Sequence, residues 1–396
     1  MSRVFERLVG QHEVESELVA AARAARRAEP AGSGMTHAWL FTGPPGSGRS
    51  IAAVCFAAAL QCTSDGEPGC GECHACTTTM AGTHGDVRRV VPEGLSISVK
   101  EMRAIVQTAS RRPTTGQWQI VVVEDADRLT ESAANALLKV VEEPPDRTVF
   151  LLCAPSVDPE DIAVTLRSRC RHVALRTPTV ESIAQVLRER DGLDEQTATW
   201  AASVGGGHVG RARRLATDPE ARERRQHALR IPKSVLRPGG GYGLAEDLVK
   251  AAESEAKSTN AERDERETEE LKTALGGGGT GKGTAGALRG SAGALKDLER
   301  RQKSRATRSQ RDALDRALID LAGFYRDALV VSCGSAAPLT HPDHADEVRE
   351  LASQTSAEAM LTSIEAVLDC REALELNVKP KIAVDALVAK LGAAVR

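Results

Sequence analysis

Through residue 176 the apolar positions fall into two rhythms. Runs at 37–42 (HAWLFT), 86–91, 118–124 (WQIVVVE), 148–153 and 171–175 are short, and WQIVVVE is nearly continuous in β-branched residues. They predict five strands, with 118–124 covered on both faces. Between them apolar residues recur at helical spacing. This predicts helices at 51–60, 99–111 and 131–143, the last capped by Thr130 and stopped by Pro144-Pro145. Residues 1–30 read as two further helical stretches, closed by Ala31-Gly-Ser-Gly34. Strands alternating with helices predict an α/β domain with a mainly parallel sheet.

After Thr177 the pattern turns wholly helical. Residues 178–216 predict a small helical domain with Gly205-Gly-Gly207 as an internal turn, and helical periodicity returns at 311–331 and 356–395. The stretch between is different. Residues 253–272 hold eight acids against four bases, and 282–308 hold eight bases against two acids, with Gly276–Gly279 between them. That pattern predicts an exposed, flexible, partly disordered insertion at about 232–308 with a charged helix on each side. The expected organisation is 1–177, 178–217 and 218–396.

Composition narrows the class. The chain has 396 residues, 41% apolar and 27% charged, as soluble globular proteins do, and only 3% aromatic, which favours helix-rich packing. A net charge of −3 gives no global basic field, so any nucleic-acid contact would be local. MSRVFERLVGQ lacks a signal-peptide run and nowhere do about 18 apolar residues follow one another. A cytoplasmic protein without membrane contact is expected.

Gly43-x4-Gly48-Arg49-Ser50 fits the phosphate-loop template at all but one position, with Gly46 also inside the loop. Glycines let backbone N–H groups curl around phosphate oxygens at a helix N-terminus, a lysine reaches the β/γ phosphates, and Ser/Thr binds Mg²⁺. Here Arg49 replaces the lysine, a wide planar fork for a compact ammonium. A loop that binds nucleotide weakly or not at all is favoured over a working site or a chance Gly/Pro turn. The partner motif at the end of the 118–124 strand is Glu124-Asp125, the reverse of the Asp-Glu order that organises Mg²⁺ and the attacking water. A misplacement near 1 Å can cost about two orders of magnitude in rate. Two solvated acids at a strand end are the alternative. Gly276–Gly283 imitates the loop but lacks the Ser/Thr and the preceding strand, and reads as linker.

Cys62-x7-Cys70-x2-Cys73-x2-Cys76 has the spacing of four thiolates around one tetrahedral Zn²⁺, with Gly66, Gly69 and Gly71 permitting tight turns in a loop. Four protein ligands close the site, so a structural zinc is expected. Cys55, Cys153 and Cys370 read as core packing.

Val9-Gly-Gln11, His37-Ala-Trp-Leu-Phe41 leading into Gly43-Pro44, the four-cysteine module, Asn135-Ala-Leu-Leu-Lys139 with Glu142-Glu143-Pro144-Pro145, and Ser168-Arg169-Cys170 follow in this order. Together they resemble the bacterial clamp-loader branch of the AAA+ superfamily, closely over 1–216 and loosely over the last ~90 residues. The resemblance implies an AAA+ core (a P-loop parallel sheet with helices on both faces), an all-α lid and an all-α C-terminal collar. It implies a five-subunit ring with the γ/τ and δ subunits of DNA polymerase III, which places a sliding clamp on primed-template DNA using ATP and Mg²⁺ held between subunits. The departures at Arg49 and Glu124-Asp125 match ring members that do not turn over nucleotide, so no catalytic activity is expected of the isolated chain, and ATP/Mg²⁺ is doubtful on it.

By the same resemblance, Arg169, flanked by Ser168 and Cys170, is an arginine finger that reaches a neighbour's ATP. A basic edge of Arg167, Arg169 and Arg171 is the plainer reading. Arg211 and Arg213 fall near the family's lid arginine, with surface charges as the equal alternative, and Ser156 is a weak candidate for the residue that senses γ-phosphate. The Arg300–Arg308 basic cluster reads as solvated rather than DNA-binding. Two other functions remain open: an ATP-hydrolysing γ/τ-like motor, which needs Arg49 as the phosphate cation, and a zinc-dependent nucleic-acid adaptor built on Cys62–Cys76 and 282–308.

Overall fold

The computed structural model describes residues 3–27, 34–275 and 284–395, with the backbone alone for 284–292. The linker reading of Gly276–Gly283 and the break at 31–33 lie outside the described residues. Two compact units emerge, one of residues 1–92 and 96–216, the other of 93–95 and 217–396.

In the first unit a 3₁₀ turn (Arg3–Arg7) precedes helix α1 (His12–Arg26). There follow β1 (Ala38–Thr42), α2 (Arg49–Gln61), α3 (His74–Ala81), β2 (Val87–Val90), α4 (Val99–Ala109), β3 (Gln119–Val123), α5 (Glu131–Glu142), β4 (Thr148–Ala154), α6 (Val164–Arg167) and β5 (Arg171–Ala174). The strands form one parallel sheet in the order β2-β3-β4-β1-β5. All five predicted strands are present. The three inner strands are buried throughout, whereas edge strands β2 and β5 are partly exposed.

Side chains alternate across the pleat, so each inner strand supplies two cores. Trp39, Phe41, Ile120, Val122, Leu151 and Cys153 pack under α1 and α2, while Leu40, Val121, Val123, Phe150 and Leu152 pack under α4 and α5. This is the α/β sheet with helices on both faces that the AAA+ resemblance implies. The Thr130 cap is present, its hydroxyl accepting the Ala133 N–H at 3.3 Å. Helices α7 (Val180–Glu189), α8 (Glu195–Val204) and α9 (Val209–Thr217) follow, with their own small core around Ile183, Leu187 and Ala201.

The second unit is helical. It comprises α10 (Pro219–Ala228), α11 (Ile231–Ser234), α12 (Tyr242–Ala274), α13 (Thr284–Ser332), α14 (Ala345–Gln354), α15 (Ala357–Glu375) and α16 (Pro380–Ala394). Leu314, Leu318, Leu321 and Tyr325 of α13 form its centre with Met360, Val367, Val384 and Leu387. The basic stretch and the 311–331 segment are one continuous 49-residue helix. Among the described residues no helix is long and apolar enough to cross a membrane.

Candidate nucleotide and metal sites

The phosphate-loop residues stand between β1 and α2. Gly43, Gly46 and Gly48 all take positive φ (154°, 90° and 94°), a backbone that side chains avoid. Contacts enforce this as well. A Cβ at Gly43 would lie 2.6 Å from the Leu175 carbonyl oxygen, and one at Gly46 would lie 2.6 Å from His208 Cα. Gln11 braces the loop, its amide donating to the carbonyls of Ser47 (3.3 Å) and Arg176 (2.6 Å).

Beside the loop lies a cavity of about 520 Å³ lined by Arg7, Leu8, Val9, Pro45–Ile51, Pro178, Arg190, His208, Val209, Gly210 and Arg213. Four arginines and a histidine face it, and none of these lining residues is acidic. Its electrostatics suit a polyanion. Ser47 Oγ and Arg49 Nη1 are buried there without a hydrogen-bond partner, groups that a phosphate oxygen would satisfy. Arg213 lines the cavity while donating to Asp191 at 2.6 Å.

The acidic residues at the end of β3 are arranged differently. The Glu124 carboxylate is held by Arg89 of β2, whose Nε and Nη2 reach Oε1 at 2.8 and 2.6 Å. It is therefore engaged toward the edge of the sheet. Asp127 lies within the fields of Asp125 and Arg49. Burial, then the Asp125 charge, raise the Asp127 carboxyl above its ordinary value, and Arg49 opposes them. Burial likewise pushes up the Cys153 thiol, which feels Arg49, Glu124 and Asp125 and lies against Ser50. Ser156 is occupied by Asp161 at 2.7 Å.

Ser168, Arg169 and Cys170 form the turn from α6 to β5. Arg169 pairs with Glu142 at the end of α5 (2.7 Å) and donates to the Thr165 carbonyl at 3.0 Å. Its side chain is 40% exposed, and it does not line the cavity beside the chain's own phosphate loop. Cys170 is mostly buried, which pushes its thiol up to about 12. Arg171 belongs to the fold: it lies 4.8 Å over the Trp39 ring and bonds Glu17 and Gly34.

The four cysteines converge. The sulfurs of Cys62, Cys70, Cys73 and Cys76 all lie within 4.8 Å of one another, and Cys62 and Cys73 are 4.0 Å apart. Thiolate bonds of about 2.3 Å in a tetrahedron give sulfur–sulfur edges of about 3.8 Å, so the set can hold a metal ion. Backbone N–H groups point at two of the sulfurs and would support them as thiolates, Cys73 donating to Cys70 (3.3 Å) and Cys76 to Cys73 (3.4 Å). Burial raises the Cys73 thiol, but the Cys76 and Thr63 N–H groups outweigh it and bring Cys73 down to about 6. Cys62 ends α2 and Cys76 lies in the first turn of α3, so the module is half helical rather than the expected loop. A run of three threonines hides that helix in the sequence, because β-branched residues are weak helix formers.

Sequence reasoning missed Arg89, Arg7 and His208. Arg89 lies within the predicted 86–91 strand and Arg7 within the first helical stretch, but a cation in such a segment carries no signature of its own. Of the basic cluster, Arg305 turns inward to Glu267 at 2.5 Å, and Arg300 pairs with Asp297 at 2.8 Å.

Comparisons place this architecture. Residues 27–179 match the family described as DNA polymerase III, delta subunit, and residues 309–383 match DNA polymerase III, delta subunit, C terminal. The chain is 38% identical over 154 residues to the DNA polymerase III subunit delta' of Yersinia pestis (38% of this chain, 45% of that one). It is 36% identical over 169 residues to the Escherichia coli delta' subunit (42% and 50%). With the gamma/tau subunit of Mycobacterium tuberculosis it shares 29% over 210 residues (51% and 35%). The chain thus spans about half or less of these relatives' length. Among solved structures it is similar to a DNA polymerase III gamma subunit-related protein of Thermotoga maritima, with a TM-score of 0.39, 15% identity, and coverage of 96% and 100%. Both units thus match families of the DNA polymerase III delta subunit, the first over residues 27–179 and the second over 309–383, and in the first the chain is similar in sequence to delta' subunits.

Proposed function

We propose that this chain is a delta' subunit of a DNA polymerase III clamp loader, a ring member that turns over little or no ATP itself and supplies Arg169 to a neighbour's ATP. The ring would combine it with γ/τ and δ subunits, in the cytoplasm, to load a sliding clamp onto primed DNA. One observation carries this reading. The carboxylate at the Mg²⁺-organising position is engaged by Arg89, while an exposed guanidinium outside the cavity is held ready by Glu142. A hydrolytic site needs an acid free to order Mg²⁺ and water. An exposed guanidinium that a carboxylate releases can instead spread two donors over γ-phosphate oxygens.

The four cysteines would hold Zn²⁺, closed to substrate and therefore structural. The 232–308 stretch would be an insertion within the collar, and 178–217 the lid. The basic cavity would admit a nucleotide without cleaving it.

The test is Arg169→Ala in a reconstituted ring. Loss of the finger should lower DNA- and clamp-stimulated ATP hydrolysis at the site it serves by about 10³-fold or more. Ring turnover unchanged by the substitution would refute the reading. Brisk Mg²⁺-dependent hydrolysis by the purified chain, abolished at Ser50, would instead favour a γ/τ-like motor.

A further inference from the structure

The cysteine module touches more than itself. Gly69, beside Cys70, accepts the Val4 N–H at 3.2 Å, and the Val4 carbonyl accepts the Cys55 thiol at 2.9 Å. Arg3 pairs with Glu72, and a Cβ on Gly71 would stand 3.1 Å from Arg3 Cβ. The Arg3–Arg7 turn is thus gripped along its first residues by the loop that carries Cys70 and Cys73. From the other side, α1 reaches the same loop. Arg26 donates to the carbonyls of Gly66 (2.7 Å) and Cys62 (3.0 Å), and Arg23 pairs with Glu67.

The residues that follow the gripped turn are the wall of the anion cavity. Arg7, Leu8 and Val9 line it, and Phe5, buried completely, fixes the turn through the Leu8 N–H to its carbonyl at 2.8 Å. The far end of the module is tied to the loop by a rod. Helix α2 begins at Arg49 and closes on Cys62, about 20 Å of helix joining phosphate loop to first ligand. The segment 62–73 has little regular structure to hold it. Apart from Cys62, Pro68 and Gly69, it is exposed or half-buried.

We infer that a metal bound by Cys62, Cys70, Cys73 and Cys76 positions the Arg3–Val9 turn, and so sets the Arg7 side of the phosphate-loop cavity. Without the metal, the four sulfurs no longer fix residues 66–73. The acceptor for Val4 and the partner of Arg3 then move freely. The turn loosens, and the cavity loses a wall and a cation while the sheet beneath remains packed. By linkage, a disturbance of the turn weakens the metal by the same free energy. The inference rests on the metal reading of the cysteines but not on the clamp-loader role.

The test is hydrogen exchange on the full-length chain, zinc-loaded and after removal of zinc by a chelator, with bound zinc counted first. Removal should speed exchange of residues 3–11 by about tenfold or more, along with 62–81, while 119–123 and 148–154 keep their protection. A second readout uses Val4→Pro, which deletes the N–H given to Gly69 and leaves every cysteine in place. It should release zinc to a chromogenic chelator several-fold faster than the parent. Exchange confined to 62–81 with an unchanged 3–11 segment overturns the inference alone. Loss of protection throughout the sheet also overturns it, because the metal would then hold the whole unit rather than the turn. A chain that takes up no zinc overturns the metal reading itself, and the stoichiometry shows which of the two has failed.

Discussion

Buried charges in this molecule are matched in different ways, and the differences are testable one residue at a time. Asp86, at the head of β2, accepts the N–H groups of Thr114, Thr115 and Gly116 and both threonine hydroxyls, all within 2.9 Å. Burial alone would raise its carboxyl, but those donors hold it far below the usual carboxylate range. His341 in the second unit is matched by charge instead. Its ring lies between Asp320 (3.3 Å) and Asp327 (3.4 Å), with Arg225 against Asp320 and Asp343, and Arg326 against Asp327. Burial opposes the imidazolium, yet the two carboxylates outweigh it and the His341 pKa lies above its ordinary 6.5. The stabilisation is therefore complete below about pH 6.5 and is lost as pH rises through the elevated value. The melting temperature of the second unit should fall as pH rises from below 6.5 through the elevated His341 value, and His341→Gln should flatten that slope. A parent chain whose second unit melts equally at both ends of the range would contradict this.

At the scale of elements, α12 and α13 depend on polar contacts where their apolar seam ends. Ala252 and Ala256 are buried, then Asn260 donates to Ser309 Oγ at 3.0 Å. Beyond it Arg305 is shared by Glu267 and Asp264, and Gln302 donates to the Asp264 carbonyl and Thr268. Arg305 holds the Glu267 carboxyl down at about 2. Replacing Arg305 with Ala should cost about 1–3 kcal/mol, less than the roughly 3–5 of a fully buried pair because the carboxylates keep some water. Amide exchange of 260–275 and 296–308 should quicken selectively, and about 1 M salt should reproduce part of the effect. Unchanged exchange there would show that the pairing is ornamental.

The strands were legible because inner parallel strands are continuous apolar runs, and the glycine loop and the cysteine cluster because each needs fixed residue types at fixed spacing. Helix α3 was not, since its threonines argue against helix and only Cys73 as an N-cap rescues it. Nor was the pairing of Glu124 with Arg89, which depends on the β2–β3 register. The unbroken α13 was hidden by its charge, which reads as an exposed segment until α12 supplies the opposite sign.

Considered whole, the molecule contains separate hydrophobic cores belonging to two units, and its sensitive chemistry is divided between them. The four-cysteine cluster lies beside the core of the first unit, with Cys62 and Cys76 among its buried residues. The titrating histidine lies beside the core of the second, between carboxylates of α13. Units with their own cores unfold as their own cooperative blocks. Calorimetry of the full chain should therefore show two transitions that answer to different reagents. Chelation should lower the first unit's transition, because a closed four-thiolate site binds the folded state in preference to the unfolded one. It should leave the other transition within about a degree, since a ligand can shift only the equilibrium to which it is coupled. Raising pH through the His341 titration should do the reverse. His341→Gln should abolish the pH response of the second transition without touching the chelator response of the first. A single transition that moves under both treatments would mean that the two cores melt as one, and that metal and proton act on a common equilibrium.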